Sequence, residues 1–121
     1  MQIGEARQDG VMVLTPAGRV DTTTSGALET RLASALSGPA PHLVVDLSAV
    51  DYISSAGLRV LLVAARRVQT TGGRLALCGM GYPVRQVFQL AGFLPLFTIQ
   101  DTRDAAVAAL AAPPPKPPSK Q

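Results

Sequence analysis

The order of apolar and polar residues predicts two β-strands near the start of the chain, at Gln2 to Gln8 and at Val11 to Gly18. The dipeptide Asp9-Gly10 between them tolerates the positive φ angles of a tight turn, so this segment predicts a β-hairpin. Two later apolar runs, His42 to Leu47 and Arg74 to Gly79, are typical of buried strands. The first of them has the composition of a strand covered on both faces in a parallel pair.

The first predicted helix follows Asp21, a residue type that is favoured as an N-cap. Apolar residues then recur at helical spacing and are expected to face the core. They are Leu28, Leu32, Ala35 and Leu36. Pro39 and Pro41 predict the end of this helix, because proline disrupts the helical hydrogen-bond ladder.

The second predicted helix runs from about Ser55 to Thr71 and stops at Gly72-Gly73. At about 100° per residue, one arc is expected to face the core. It contains Leu58, Leu61, Leu62, Ala65 and Val68. The far side contains Arg59, Arg66 and Arg67, with Val60 and Val63 among them. Two β-branched apolar residues on a charged face indicate a partner surface, unless neighbouring elements cover both of them.

The last third of the chain predicts two more helices around a short strand at Leu96 to Ile99. Pro83 suits the first turn of the third helix, and Gly92 suits its C-terminal stop. The residues expected to point inward on that helix are Val84, Val87, Phe88 and Ala91. Asp101 is expected to cap the fourth helix, and Asp104 to favour the positive end of its dipole.

This order of elements predicts an α/β protein with a single domain. Two strands and a helix are followed by alternating strands and helices, which indicates a mixed β-sheet of about four to five strands with four α-helices packed on it. The length of 121 residues, 47% of them hydrophobic, is sufficient for one domain with its own core. We expect that domain to span residues 1–111.

The charge balance disfavours a direct nucleic-acid partner. The formal net charge is +3, but both lysines lie in the Pro- and Lys-rich segment 112–121. Without that segment, nine arginines against eight acidic residues leave +1, and the arginines are spread along the chain. A nucleic-acid binder should instead show a clustered basic face.

Localisation follows from similar considerations. No apolar run approaches the ~18 residues of a membrane span, and the first residues lack the order of a signal peptide. The single cysteine, Cys78, cannot form an internal disulfide, so the cytoplasm is the expected compartment. The segment 112–121 is expected to be a disordered, solubilising tail that samples polyproline II, rather than a ligand for a proline-reading domain.

The segment with the clearest chemistry is the predicted start of the second helix. Ser54 and Ser55 stand in its first turn, where a serine can simply accept a backbone N–H as the N-cap. The small residues Ala56 and Gly57 would leave a hydroxyl accessible. A phosphate on Ser55 would carry about −1.5 to −2 charges and face the positive end of the helix.

The run from Asp51 to Leu58 resembles the phosphorylation-site motif of the anti-sigma factor antagonists, which are bacterial members of the STAS family. Three further segments resemble that family. Gly18 to Asp21 is similar to the turn before its first helix, Val44 to Ser48 to its central strand, and Val87 to Phe93 to its third helix and glycine stop. The resemblance covers roughly residues 2 to 110 and implies a STAS-like fold.

The resemblance implies a protein that switches partners and is not itself an enzyme. In this family the unmodified antagonist binds an anti-sigma factor, a serine kinase of the histidine-kinase-like ATPase class, and so frees the sigma factor. The kinase phosphorylates the antagonist and weakens the complex, and a metal-dependent serine phosphatase reverses this. The phosphoacceptor is the serine two residues before the motif glycine, which corresponds to Ser55. Many members have an acidic residue immediately before that serine. This chain has Ser54 there instead, and its hydroxyl makes Ser54 the second choice.

The expected partner-binding residues combine the motif with the helix face described above. They are Asp21, Thr22, Ser54, Ala56, Gly57, Leu58, Val60 and Val63. Asp21 could equally serve only as an N-cap. No cofactor is implied.

An enzymatic function finds little support among the residues. A serine nucleophile needs a base, and the only histidine, His42, opens a buried strand at the end of the sheet opposite Ser55. Neither a Gly-x-Ser-x-Gly elbow nor a Gly-x-x-x-x-Gly-Lys loop is present. One cysteine and one histidine do not make a metal site, and Cys78 is expected to be a small buried hydrophobe.

A non-switching role is the remaining alternative. STAS-like modules also serve as subunits or scaffolds in lipid-transport or signalling complexes, where the serine can remain unmodified. The chemistry at Ser54 and Ser55 distinguishes the two functions.

Overall fold

The computed structural model describes residues 1–38 and 41–111. The predicted tail at 112–121 lies outside this range, as does Pro39. The strands are β1 (Gln2–Gln8), β2 (Val11–Val20), β3 (His42–Asp46), β4 (Val50–Ile53), β5 (Arg74–Cys78) and β6 (Thr98–Gln100). The helices are α1 (Ser25–Ala35), α2 (Ser55–Thr70), α3 (Tyr82–Leu90) and α4 (Arg103–Ala111), and a single 3₁₀ turn occupies Leu94–Leu96.

The predicted hairpin at the start of the chain is confirmed. Strands β1 and β2 pair in antiparallel register, with Gln8 opposite Val11. Asp9 and Gly10 form the turn with φ angles of 53° and 79°. Two successive positive φ values match the right-handed twist of the flanking strands, which explains the Asp-Gly sequence.

All other strand pairs are parallel, and β2 forms two of them, one with β3 and one with β4. The path through the sheet is β1-β2-β3-β5-β6, while β4 pairs with the end of β2. Residues 12–14 of β2 lie beside β3, and residues 18–20 lie beside β4, with a register shift between Gly18 and Arg19. The sheet is therefore mixed, as predicted, with six strands. Strand β4 was not among the predicted elements, because only Val50 and Ile53 of its four residues are buried.

Two hydrophobic clusters cover the two faces of the sheet. The larger one joins β2, β3 and β5 to α1, α2 and α3 through residues such as Leu14, Leu61 and Phe88. The smaller one joins Val44 and other alternate strand residues to α4, which contributes Leu110. Side chains alternate between faces along a strand, so the continuous apolar run of β3 satisfies both layers.

Threonines occupy the N-cap positions of α1 and α4, but only Thr102 at α4 forms a side-chain capping hydrogen bond. Helix α1 has Thr24 at its N-cap position, so Asp21 lies three residues ahead of that position in the preceding turn. At α4, the hydroxyl of Thr102 accepts a hydrogen bond from the N–H of Ala105 at 3.1 Å, which is the role predicted for Asp101. Asp104 does lie in the first turn of α4. Apolar periodicity located α1, and the aspartates before and within the first turn of α4 located that helix, but several polar residues before each start could serve as the cap.

The third helix has its predicted ends and a narrower buried face. Pro83 lies in its first turn. Gly92 has a φ of 75°, and the N–H of Phe93 reaches the carbonyl of Phe88 at 2.9 Å, which closes the C-terminus. Val84 and Phe88 are buried, whereas Ala91 is exposed, contrary to the prediction. After Gly92 the chain passes through the 3₁₀ turn at Leu94–Leu96 before β6, and Phe93, Leu94 and Phe97 pack against the main core.

Within residues 1–38 and 41–111, no helix combines the length and the apolar character needed to cross a bilayer.

Candidate functional site

The strand ends of β2 and β4 place the two serines at the start of α2. Val20 is paired with Ile53, and the next N–H, that of Ser54, donates to the carbonyl of Val20 at 2.8 Å. Ser54 is the N-cap: its backbone is extended and its hydroxyl oxygen accepts a hydrogen bond from the N–H of Gly57 at 3.3 Å. The hydroxyl of Ser54 is thus used in starting the helix.

Ser55 is the first residue of α2 and its side chain is exposed. Among the hydrogen bonds of the described residues, none involves its hydroxyl group. Since the first N–H groups of a helix have no intrahelical partner, the environment of this hydroxyl is electropositive. Of the two serines, Ser55 is therefore the one with an accessible and uncommitted oxygen.

Gly57 is required by packing. A Cβ atom at this position would lie 2.6 Å from Cγ1 of Val20 and 2.8 Å from Cγ1 of Ile53. Gly57 is buried, as is Leu58, so both support the site from beneath and do not reach the surface. The absence of a side chain at Gly57 thus allows α2 to approach β2 and β4 closely. The role predicted for this glycine from the sequence was instead to leave a serine hydroxyl accessible. Ala56 is partly exposed.

Asp21 lies in the loop after β2, next to the loop that contains Ser54. Its carboxylate accepts hydrogen bonds from the N–H and the hydroxyl of Thr23, at 3.0 and 2.7 Å. These bonds, with a smaller contribution from Arg19, lower the pKa of Asp21 below its ordinary value. The neighbouring Thr22 is exposed. Because Asp21 follows Val20 and Ser54 follows Ile53, the two loops leave the sheet side by side.

An arginine and a tyrosine complete this side of the surface. The guanidinium of Arg19 lies 4.3 Å from the ring centroid of Tyr52, and its Nε is 3.6 Å from an oxygen of Asp21. The sequence pattern missed this group, because the contact depends on the pairing of Arg19 with Tyr52 in the β2–β4 register. A prediction of β4 from the buried pair Val50 and Ile53 could have found it.

Val60 and Val63, the two valines predicted to face a partner, differ in exposure. Val63 is 55% exposed, whereas Val60 is partly buried and packs against the main core. They line one wall of a groove of about 100 Å³ between α1 and α2. The other lining residues are Glu29, Leu32, Ala33, Leu36, Ala64 and Arg67. The predicted apolar surface on α2 is thus a groove edge, with one valine half covered by its neighbours.

His42 lies far from the serines. It begins β3 beside the first residues of β2, whereas the serines follow the last residues of β2. Eight residues separate Met12 from Val20, or about 25 Å at the usual rise of a strand. His42 cannot act as a base for Ser55 across this distance, and its Nδ1 atom is buried without a hydrogen-bond partner among the described residues.

Asp46 is a buried polar residue that stabilises the fold through its contact with Arg103. Burial alone would raise the pKa of Asp46, but hydrogen bonds from Ser48 and the contact with Arg103 outweigh it and hold the pKa below its usual value. The Nε atom of Arg103 lies 3.1 Å from the carboxylate. Burial, together with the charge of Asp46, raises the pKa of the Cys78 thiol to about 12. Cys78 is buried, as predicted, and is a poor nucleophile because it stays protonated.

An α/β domain with an exposed serine at the start of its second helix is the arrangement that the sequence resemblance predicted. The model of the STAS domain family matches residues 4–106, and the chain belongs to this family.

Relatives of the chain extend this result. A Bordetella bronchiseptica protein named "Putative anti-sigma factor antagonist BtrV" is 38% identical over 109 residues, which cover 90% of this chain and 94% of that protein. The crystal structure of an anti-sigma factor antagonist from Mycobacterium paratuberculosis has a TM-score of 0.83 and 28% identity, covering 92% of this chain and 94% of that one.

The fold is also that of SpoIIAA, solved in an unphosphorylated and a phosphorylated form. The TM-scores are 0.74 and 0.67, with identities of 19% and 18%. Each comparison covers 89% of this chain, and 95% and 98% of the SpoIIAA chains. The mixed sheet with four helices predicted from the sequence is confirmed as a STAS fold.

Proposed function

We propose that this protein is an anti-sigma factor antagonist that works by exchanging partners. Its unphosphorylated form binds an anti-sigma factor that is also a serine kinase of the histidine-kinase-like ATPase class, and so releases the sigma factor. Phosphorylation of Ser55 ends this binding, and a metal-dependent serine phosphatase restores it. The names of the relatives support the first part of the proposal. We place the exchange in the cytoplasm, where sigma factors act.

The observation that carries the proposal is the division of labour between the two serines. Ser54 caps α2, so a change at Ser55 leaves the cap intact. Ser55 is exposed at the end of a helix whose first turn contains no acidic residue. A kinase can reach this oxygen, and the helix terminus stabilises the anionic product.

The chemistry is a phosphoryl transfer in which the protein is the substrate. The Ser55 oxygen attacks the γ-phosphorus of ATP in the kinase, the bond to the β,γ-bridging oxygen breaks, ADP leaves, and the hydroxyl proton passes to a base of the kinase. The product bears two additional negative charges at most. Charge introduced at the centre of an interface is costly to desolvate, so the complex weakens.

The proposed docking surface surrounds Ser55. It includes the partly exposed Asp21 and the exposed Thr22 on one side and Ala56 on the other. Val63 extends it along α2, about 12 Å from Ser55 at the helical rise of 1.5 Å per residue. The buried residues Gly57, Leu58 and most of Val60 shape this surface without forming it. These residues present both apolar and charged groups, as protein interfaces do.

Phosphate mapping tests the proposal directly. The protein is incubated with ATP and an ATP-binding serine kinase that co-purifies with it, and the modified residue is located by mass spectrometry. We expect modification of the wild type and of Ser54→Ala, and none of Ser55→Ala. Titration calorimetry should then give similar affinities for the wild type and Ser55→Ala, and a weaker one for Ser55→Asp. Phosphate on neither serine, with equal affinities for all variants, would favour a non-switching subunit or scaffold.

A further inference from the structure

We propose that Arg59 is the internal counter-ion of phosphorylated Ser55, so that the modification engages a second exposed residue of α2. This inference rests on the proposed function for its biological meaning. In this arrangement the phosphate forms an ion pair with a guanidinium of the same chain.

Helical geometry places the two residues together. Ser55 and Arg59 are four residues apart on α2, and both are exposed. Side chains at this spacing lie on one face with about 5–6 Å between their Cβ atoms, and an acidic group N-terminal to a basic one is the favourable order. A guanidinium can bind phosphate oxygens in a bidentate manner, which makes arginine well suited to this role.

Arg59 is available for such a contact. Among the salt bridges and hydrogen bonds of the described residues, none involves its side chain. The first turn of α2 contains no acidic residue that would compete for it. In the unmodified protein its charge therefore faces solvent or a partner.

The other charged groups at the surface are less suited. Arg19 is the competing cation, but it already contacts the carboxylate of Asp21 at 3.6 Å and the ring of Tyr52 at 4.3 Å. Asp21 lies in the loop beside Ser54, and Asp51 is exposed on β4. Both carboxylates would repel a phosphate on the sheet side of Ser55, which favours the helix side where Arg59 lies.

The pairing changes what a partner meets. Before phosphorylation, the surface offers a neutral hydroxyl and a free guanidinium one turn away. Afterwards, the phosphate occupies that guanidinium, so an acidic group of the partner that contacted Arg59 loses its counter-charge. One modification then alters two neighbouring contacts.

A phosphorus NMR titration of protein with phosphoserine incorporated at position 55 during translation tests this pairing without any kinase. Arg59→Gln should raise the second pKa of the phosphoserine by about 0.3–0.7 pH units, as expected when an exposed ion pair is lost. Arg66→Gln is the matched control, since Arg66 is exposed on the same helix two turns beyond Arg59, and it should titrate like the wild type.

Two results would overturn the inference. One is a phosphoserine that titrates identically in Arg59→Gln and the wild type. The other is a shift caused by Arg19→Gln but not by Arg59→Gln, which would assign the phosphate to Arg19. Because the phosphate is installed without a kinase, a failed kinase reaction would count against the proposed function and leave this measurement valid. The unmodified variants should melt at the wild-type temperature, which excludes misfolding.

Discussion

Ser54 and Ser55 have the same side chain but different tasks, because one residue along the chain changes what each hydroxyl meets. Ser54 still has an extended backbone, so its oxygen folds back onto the N–H of Gly57. Ser55 is already helical, and its side chain points outward into solvent. A modification of Ser55 can therefore alter surface charge without undoing the helix start, which is what a reversible signal requires.

Gly57→Ala should destabilise the protein, although alanine is the better helix former. The added methyl group would collide with Val20 and Ile53 at 2.6 and 2.8 Å. Overpacking of this kind typically costs about 1–3 kcal/mol. The free energy of unfolding, measured by denaturant titration, should fall accordingly.

Gly26→Ala is the matched control for this change. Gly26 also lies in the first turn of a helix, but a methyl group added there would meet no neighbouring atom within 4 Å. It should gain up to about 1 kcal/mol from helix propensity. Equal effects of the two substitutions would show that close packing at Gly57 is not the reason for the glycine.

At the scale of elements, α2 serves both the core and the surface. Leu58, Leu61 and Val68 are buried on one side, as their spacing predicts. The opposite side contains exposed arginines, and Val63 lies there at the edge of the groove facing α1. Leu62 is only partly buried, whereas Ala64 is buried. The contact with α1 rotates the covered arc toward Ala64, which periodicity within α2 alone could not reveal.

Val63→Glu should weaken partner binding and leave the melting temperature nearly unchanged. Val63 is largely exposed, and a glutamate four residues before Arg67 gains a favourable helical pair. If Val63 contacts the partner, calorimetry should show a loss of about fivefold or more, as for a contact worth ~1 kcal/mol.

Val60→Glu provides the contrast. Val60 packs against the core, so this substitution buries a charge and should lower the melting temperature clearly. A large fall in melting temperature for Val63→Glu as well would place both valines in the core and remove the surface argument.

At the scale of the whole molecule, one partly buried ion pair ties the layers together. Arg103 is the first residue of α4, and its Nε donates to the carboxylate of Asp46 at the end of β3. The Nη2 atom of Arg103 donates to the hydroxyl of Thr15 on β2 at 2.9 Å. Asp46 also accepts the N–H of Ser48 at 3.0 Å. These contacts fix the start of α4 over the sheet face opposite to α1 and α2.

The ion pair between Asp46 and Arg103 makes the free energy of unfolding depend on pH in the acidic range. The pKa of Asp46 is lower in the folded than in the unfolded protein, so its contribution is complete above the unfolded pKa and is lost as pH falls through the folded value. The free energy of unfolding should therefore decrease below about pH 4.

Asp46→Asn isolates that contribution. It should cost about 1–3 kcal/mol at neutral pH, as for a charged hydrogen-bonded group that loses its partner. The stability of the variant should also fall less steeply in acid, with a residual slope because the pKa of Asp21 is lowered too. Unchanged acid dependence in denaturant titrations at several pH values would contradict this assignment.

Local signals along the chain are sufficient to predict several of its elements. The Asp-Gly hairpin, the positions of α2 and α3 along the chain and the serine motif all depend on residues within a few positions of one another, so propensity and spacing suffice. Three features became apparent only in the folded chain: strand β4, the packing reason for Gly57, and the grouping of Arg19, Asp21 and Tyr52 beside the serines. Those features arise where β2 meets β4, between residues about thirty positions apart, and such pairing depends on the burial of the whole sheet.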